Sequence, residues 1–421
     1  MRSTKVELWP ALCSCLLAAA AQTVENPLPV AALSDLRSPE AVVRAVRQAA
    51  PDLFVDLPER LKKWGYPLET YAVPTEDGYV LTLHRIPRGR SAAPDASANE
   101  GRPAPPVLLL HGLHCSSELW VVAGPGAAPA LILADEGYDV WLGNFRGNHF
   151  STKHKILDPK DPRFWMFSYH EHGLYDVTAL IDYVLNATKQ KRLFYFGHSM
   201  GNTALFVAAS MRPEYNEKVR LCVSLSPGVY IEEASFPIIL ANNYDLIKAT
   251  FDSLPTYKIL QRSDSLITFI YLMCSKDSSF RNTCDALVST VLGITDLNAI
   301  DLYLSRAISS SSGLNIIHFL QEVLSGELRQ MDHGAKENLR RYGSPRPPAY
   351  QLANVTAPVA IFASEADSVV SAKGISRLVK VLPNVVTTHI IDEKFNHLDF
   401  LVNPKEYELI MKHVLKLMKD F

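Results

Sequence analysis

Short apolar runs recur along much of the chain: Val107–Leu110, Val140–Leu142, Leu193–Phe196, Val219–Leu225 and Pro358–Ala363, with a further strand-like run at Val385–Ile391. A strand exposed on one face alternates polar with apolar residues, whereas a continuous apolar run marks a strand buried on both faces. Helical patterns separate several of these runs, as at Tyr175–Leu185 and Asn202–Ser210. Buried strands alternating with helices predict a parallel sheet covered on both sides. Upstream, Glu69–Val73 and Tyr79–Ile86 do alternate, around the turn residues Thr75-Glu76-Asp77-Gly78, which predicts a hairpin. Ser91–Pro106 is rich in Ala, Pro, Asn and Gly and reads as a mobile surface loop.

The strand–helix alternation stops near Gly228 and resumes near Pro358. The interval carries helical patterns, Cys274, Cys284 and a polar exit, Tyr342-Gly-Ser-Pro-Arg-Pro-Pro348. It reads as a mainly helical insertion, residues 228–350, in a sheet domain built from residues 51–227 and 351–421. At the N-terminus, Arg2 and Lys5 precede an apolar stretch, Leu8–Ala20, that ends in small residues. That order predicts a signal peptide over residues 1–21. The stretch is short for a membrane span, with Glu7 directly before it and Pro10 interrupting it. Residues 22–50 form an extension, a short propeptide or a surface helix, in which Ser38-Pro39-Glu40 has the form of a helix start.

Composition narrows the function class. The 421 residues, 48% hydrophobic, suffice for a full core plus a subdomain. The formal net charge is −2, from 42 basic and 44 acidic side chains with no basic stripe, which argues against a nucleic-acid partner. No later run spans a bilayer, so the mature chain is expected to lack a transmembrane segment and to be a monomer. Of six cysteines, Cys13 and Cys15 leave with the signal. Cys274 and Cys284 lie close in one segment and are expected to pair in an oxidising compartment. Cys222, inside an apolar strand, is expected to be a buried free thiol, and Cys115 has no evident partner. Asn186-Ala-Thr188 and Asn354-Val-Thr356 are glycosylation sequons.

Gly197-His198-Ser199-Met200-Gly201 joins the apolar run Leu193–Phe196 to a helical stretch. The pentapeptide alone is a weak signal; between a buried strand and a helix it is a strong one. A serine there sits on a sharp turn at a helix N-terminus, with glycines where backbones approach. A hydroxyl is a poor nucleophile and needs a base, and the base needs a carboxylate. Asp367, after the strand that ends at Ala363, is the candidate acid; Glu365, Asp392 and Asp399 are alternatives. His397, past the strand that ends at Ile391, is the one of 13 histidines with the right order and setting. His198 beside the nucleophile is expected to pack or hydrogen-bond, and His170-Glu171-His172 to start a helix rather than bind metal. Acyl transfer also needs N–H donors for the oxyanion. Met200, after the nucleophile, and Leu113, in His111-Gly112-Leu113 after an early strand, are the candidates.

From about Trp64 to Phe400 the chain resembles the acid lipase family, which includes gastric and lysosomal lipases. The markers are Tyr71-Ala-Val-Pro-Thr-Glu-Asp-Gly-Tyr79, His111-Gly-Leu113, Trp141-Leu-Gly-Asn-Phe-Arg-Gly147, Phe164-Trp-Met-Phe-Ser168, Gly197-His-Ser-Met-Gly201 and Phe395-Asn-His-Leu-Asp-Phe400. The resemblance implies an α/β-hydrolase fold with a cap (lid) domain over an apolar acyl site. It implies Ser199 as nucleophile, Asp367 as acid, His397 as base, and Leu113 and Met200 as oxyanion donors. It implies hydrolysis of triacylglycerols or cholesteryl esters at a lipid–water interface, without cofactor or metal, by a secreted or lysosomal protein. Met200 departs from the glutamine common in the family, which puts the pocket shape near the acyl group in question. Rival readings are an esterase for small soluble esters, an acyltransferase, and a non-catalytic lipid-binding protein.

Overall fold

The computed structural model describes residues 38–90, 98–99, 102–291, 293–295, 300–391 and 394–421. The expected signal peptide, with Cys13 and Cys15, lies outside these residues, as do residues 91–97 and 100–101 of the expected surface loop. In the rest of that loop Ala98–Asn99 pairs antiparallel with Arg102–Pro103.

The central sheet has nine strands: β1 Glu69–Pro74, β2 Tyr79–Ile86, β3 Pro106–Leu110, β4 Asp139–Gly143, β5 Lys153–His154, β6 Leu193–His198, β7 Val219–Leu225, β8 Val359–Ser364 and β9 Val385–Ile391. Their order is β1-β2-β4-β3-β6-β7-β8-β9, with β5 paired to β2. The β1–β2 hairpin and the β2–β4 pairing are antiparallel, and from β4 to β9 every pairing is parallel. Each apolar run of the sequence is a strand of this sheet. In β3, Val107 and Leu109 join the core on one face while Leu108 and Leu110 join the core on the other. In β6, Phe194 and Phe196 oppose Leu193 and Tyr195 in the same way. Burying each such Leu or Phe contributes roughly 1.5–3 kcal/mol, so a two-faced strand outweighs any local preference for helix. The two end strands of the sheet order, β1 and β9, are the ones left half exposed along most of their length.

Helices α1 Pro39–Ala49, α2 Leu57–Lys63, α3 Pro129–Asp135, α4 Thr178–Thr188 and α5 Met200–Met211 precede the insertion. In α1 the Ser38 hydroxyl accepts from the Ala41 N–H at 3.3 Å, with Pro39 in the first turn, as the sequence pattern predicts. A π-helical turn, His172–Val177, leads into α4. The His170-Glu171-His172 run is a capped helix start, with Ser168 and Glu171 forming a capping box.

Between β7 and β8 the described residues carry α6 Ser235–Ala241, α7 Tyr244–Ser253, α8 Asp264–Cys274, α9 Arg281–Val291, α10 Ile300–Ala307, α11 Gly313–Ser325 and α12 Ala335–Tyr342. A disulfide joins Cys274 to Cys284, linking α8 to α9. Helix α1 packs its apolar face on α8, and Arg47 pairs with Asp264 at 2.6 Å, so the extension is tied to the insertion. After β8 come α13 Ala372–Val381 and, at the C-terminus, α14 Lys412–Met418. Cys115 and Cys222 are both buried free thiols.

Candidate active site

Parallel strands bring their C-terminal ends to one edge of the sheet, where α/β folds build their sites. Here the ends of β3, β6, β7, β8 and β9 lie side by side. Ser199 follows β6 and precedes α5, with φ 51° and ψ −118°. A left-handed backbone at a serine costs about 1–3 kcal/mol, and the buried strand and helix on either side hold it there. The turn is tight enough that a Cβ at Gly201 would overlap the Leu110 carbonyl oxygen at the end of β3. A Cβ at Gly112 would lie 3.2 Å from the Ser199 Cβ. The His111–Leu113 loop therefore closes directly on the serine, which is where an oxyanion donor is needed.

Asp367 and His397 come from the loops after β8 and β9, and His397 Nδ1 lies 3.0 Å from Asp367 Oδ2. The other carboxylate oxygen accepts the N–H groups of Val369 at 2.8 Å and Val370 at 2.9 Å. Burial pushes the Asp367 carboxyl up, but the charge and hydrogen bond of His397, the Ser226 hydroxyl and the Val370 N–H outweigh it and hold it below the ordinary carboxylate value. Of the alternative acids, Glu365 is exposed. Asp399 is buried and binds the Asn396 N–H at 2.7 Å and the Thr295 hydroxyl at 2.7 Å. Asp392 lies outside the described residues. Ser199 and His397 meet as walls of one cavity of about 330 Å³. Among the described residues no hydrogen bond joins them, and such contacts often tighten only with substrate in place.

The histidines nearby are structural. His198 is buried, and its Nε2 donates to the His397 carbonyl at 2.9 Å, which ties its ring to the His397 backbone. Burial, with His397 alongside, pushes the His198 ring down to about 3. His111 accepts at Nε2 from the Phe145 N–H at 3.3 Å and is likewise held neutral by burial, down to about 3. It orders the loop that carries Leu113. Met200 is buried in the core on one face of the sheet and is not among the residues that line the cavity.

One residue escaped the sequence reading. Ser226, directly after β7, donates from its hydroxyl to Asp367 Oδ2 at 2.5 Å and lies 3.0 Å from His397 Nδ1. Ser-Pro-Gly reads locally as a turn. The usable signal was topological: in a parallel sheet, the residue that ends the strand between the nucleophile's and the acid's has to stand between them.

The cavity wall is Leu113, Leu119, Phe236, Leu240, Leu304 and Phe319 among other apolar groups, drawn from both the sheet domain and the insertion. No group of metal-ligating side chains occurs among the described residues.

The family motifs outside the cavity also find their places. Arg146, from the Trp141–Gly147 motif, is buried and pairs with Asp176 at 2.7 Å and with Asp77 of the hairpin turn at 2.5 Å. It lies over the ring of Tyr79 at 4.0 Å. Two separated motifs thus meet as one buried ion cluster that braces the sheet edge.

Comparison with known proteins agrees with this geometry. The family model described as a partial alpha/beta-hydrolase lipase region matches residues 57–124, and that of the alpha/beta hydrolase fold matches residues 105–404. Lipase member K of Homo sapiens is 33% identical over 380 residues, spanning 89% of this chain and 93% of its own length. Lipase 3 of Drosophila melanogaster is 36% identical over 87% of this chain and 93% of its own. Gastric triacylglycerol lipase of Bos taurus is 32% identical over 88% of this chain and 92% of its own. With this likeness along nearly its whole length, and with the sheet order and strand-end residues above, the chain belongs to the acid lipase family of α/β hydrolases.

Proposed function

We propose that this protein hydrolyses the ester bonds of neutral lipids, triacylglycerols or cholesteryl esters, through a covalent acyl-enzyme. His397 Nε2 takes the proton of Ser199 as its oxygen attacks the ester carbonyl. Asp367 holds Nδ1–H and stabilises the imidazolium, and the N–H groups of Leu113 and Met200 receive the oxyanion. His397 then protonates the departing alcohol. Water, deprotonated by His397, attacks the acyl-enzyme, and the collapse releases the fatty acid and restores Ser199.

The observation that carries this reading is the Asp367–His397 pair, 3.0 Å apart, whose His397 lines one apolar cavity together with Ser199. A volume of about 330 Å³ suits one acyl chain rather than a whole triacylglycerol. Helix α6 supports a lipid surface as the source of substrate. Its Phe236, Pro237 and Leu240 line the cavity, while Ile238 and Ile239 face outward, Ile239 at 57% exposure. A surface helix apolar on both sides implies contact with a second apolar phase. A secretory route, ending outside the cell or in the lysosome, is supported by the bonded Cys274–Cys284 pair and the exposed sequon residues Asn186 and Asn354. No helix among the described residues is long and apolar enough to cross a membrane.

The test is fatty acid release from an emulsified long-chain triacylglycerol between about pH 4 and 8, bracketing the histidine titration, with Ser199→Ala as blank. Ser199-dependent release is expected. Cleavage only of a short soluble ester would move the assignment to an esterase. No turnover of either would leave a lipid-binding protein.

A further inference from the structure

We propose that Ser226 is a positioning residue, a fourth member of the acid–base relay that fixes the tautomer of His397 and sets the pH range in which it acts as base. The inference rests on the acyl-transfer reading above.

Ser226 is fully buried, with φ 41°, in the left-handed region where a serine is held only by its surroundings. Its N–H donates to the Phe362 carbonyl of β8 at 2.8 Å, which ties it to the strand that leads to Asp367. Its hydroxyl donates to Asp367 Oδ2 at 2.5 Å, the same oxygen that faces His397 Nδ1 at 3.0 Å. The hydroxyl oxygen is itself 3.0 Å from Nδ1. Once its proton is given to the carboxylate, Oγ has only lone pairs to offer the imidazole. The Nδ1 proton is then shared between Oδ2 and Oγ, and Nε2 stays unprotonated and turned toward the cavity.

The consequence for pH follows from which contact is stronger. A donor to Asp367 Oδ2 withdraws negative charge from the group that stabilises the imidazolium, which weakens proton binding by His397. The lone pairs of Oγ act the opposite way. The donated bond is the shorter by half an ångström, and it is charge-assisted, so withdrawal dominates. The other titratable groups around His397 do not reverse this. His198, from the end of β6, has its ring 4.9 Å away and is held neutral by burial. Across the cavity, burial pushes His114 down to about 4 and the Cys115 thiol up to about 12, so neither carries charge at intermediate pH. Asp399, two residues on from His397, is bound to the Asn396 and Thr295 N–H groups and the Thr295 hydroxyl. None of these contacts involves Ser226.

The experiment compares the native enzyme with Ser226→Ala and Ser226→Gly. Both variants lose the hydroxyl, and glycine also suits the positive φ, so a backbone effect separates from a hydroxyl effect. The His397 imidazole is titrated by nitrogen NMR, which needs no turnover, and the acid limb of kcat/KM is read on a soluble ester. Both are expected to move to higher pH by about half a unit or more in both variants. An imidazole titration unchanged in both variants would overturn the proposal. An imidazole shifted in the variants, with a native protein that cleaves no ester, would instead sink the acyl-transfer reading and leave the relay geometry standing.

Discussion

The sheet domain and the inserted cap solve the problem of holding a site in different ways. In β3, β4, β6 and β8 every residue is buried, and the apolar groups fill two cores, one on each face. In the cap, α7 has no buried residue, and Leu246 and Leu287 are 69% and 62% exposed. The cap shares apolar core with the sheet domain through Ile270, Tyr303, Leu304 and Ala307 among others, and polar anchors add to that contact. The Tyr303 hydroxyl donates to the Val402 carbonyl at 2.8 Å, and the Ser310 hydroxyl donates to the Gly147 carbonyl at 2.7 Å. Buried area resists displacement continuously, whereas a few hydrogen bonds worth about 0.5–1.5 kcal/mol each can be exchanged for water. Asp367 and His397 therefore sit on the more deeply buried part, while Phe236, Leu240, Leu304 and Phe319 of the cavity wall belong to the more exposed one.

The comparison breaks hardest on the core side. Asp367→Asn keeps the side chain's shape but cannot hold His397 in the working tautomer. It should lower kcat by about 10⁴-fold with little change in melting temperature, read as ester hydrolysis beside thermal unfolding. A fall of under tenfold would mean that another carboxylate serves as the acid.

The cap side should respond to the physical state of the substrate. The double variant Ile239→Asp, Leu246→Asp places charge on the outward apolar face without touching the cavity. Release from emulsion is expected to fall about tenfold while cleavage of a short soluble ester holds, since each charge opposes entry into an apolar phase. Equal losses on both substrates would mean that this face does not meet lipid.

The smallest effect is the dependence of the cap's own stability on pH. Burial pushes the Glu322 carboxyl up to about 8, against the opposing hydrogen bond from the Tyr230 N–H. A raised carboxyl favours the folded state while both states are protonated, below about 4.5. That stability is lost as pH rises toward 8, because only the unfolded chain ionises freely. Glu322→Gln should match the native melting temperature near pH 4.5 and exceed it by a few degrees near pH 8. Buried histidines act in the other direction. His84 is held down to about 4, and His318 to about 3, chiefly by burial. Their contribution is present above about 6.5 and is lost as pH falls toward those values, in native and variant alike.

Much of this was legible in the chain. Runs such as Leu193–Phe196 are apolar at every position because both faces of their strand are covered, and that is a local property. The turn at Ser199 is local too, since the glycines that let backbones approach are its neighbours in sequence. The order serine, acid, histidine follows from the order of strands. What stayed hidden depends on partners far apart along the chain. Glu365, Asp367 and Asp399 look alike in sequence, and only the packing exposes the first, aims the second at His397 and turns the third to Asn396 and Thr295. Ser226 reads as a turn residue until β7 lies between β6 and β8, which brings it to Asp367 and His397, 141 and 171 residues away. Glu322 reads as one more acidic residue on a helix until α11 is pressed against the Tyr230 loop. Periodicity records which face of an element is dry, and so it determined the strands and the helices, while the neighbouring glycines marked the turn at Ser199. Hydrogen-bond partners and charge states depend on which dry faces meet, and that was decided only when the sheet closed and the cap settled on it.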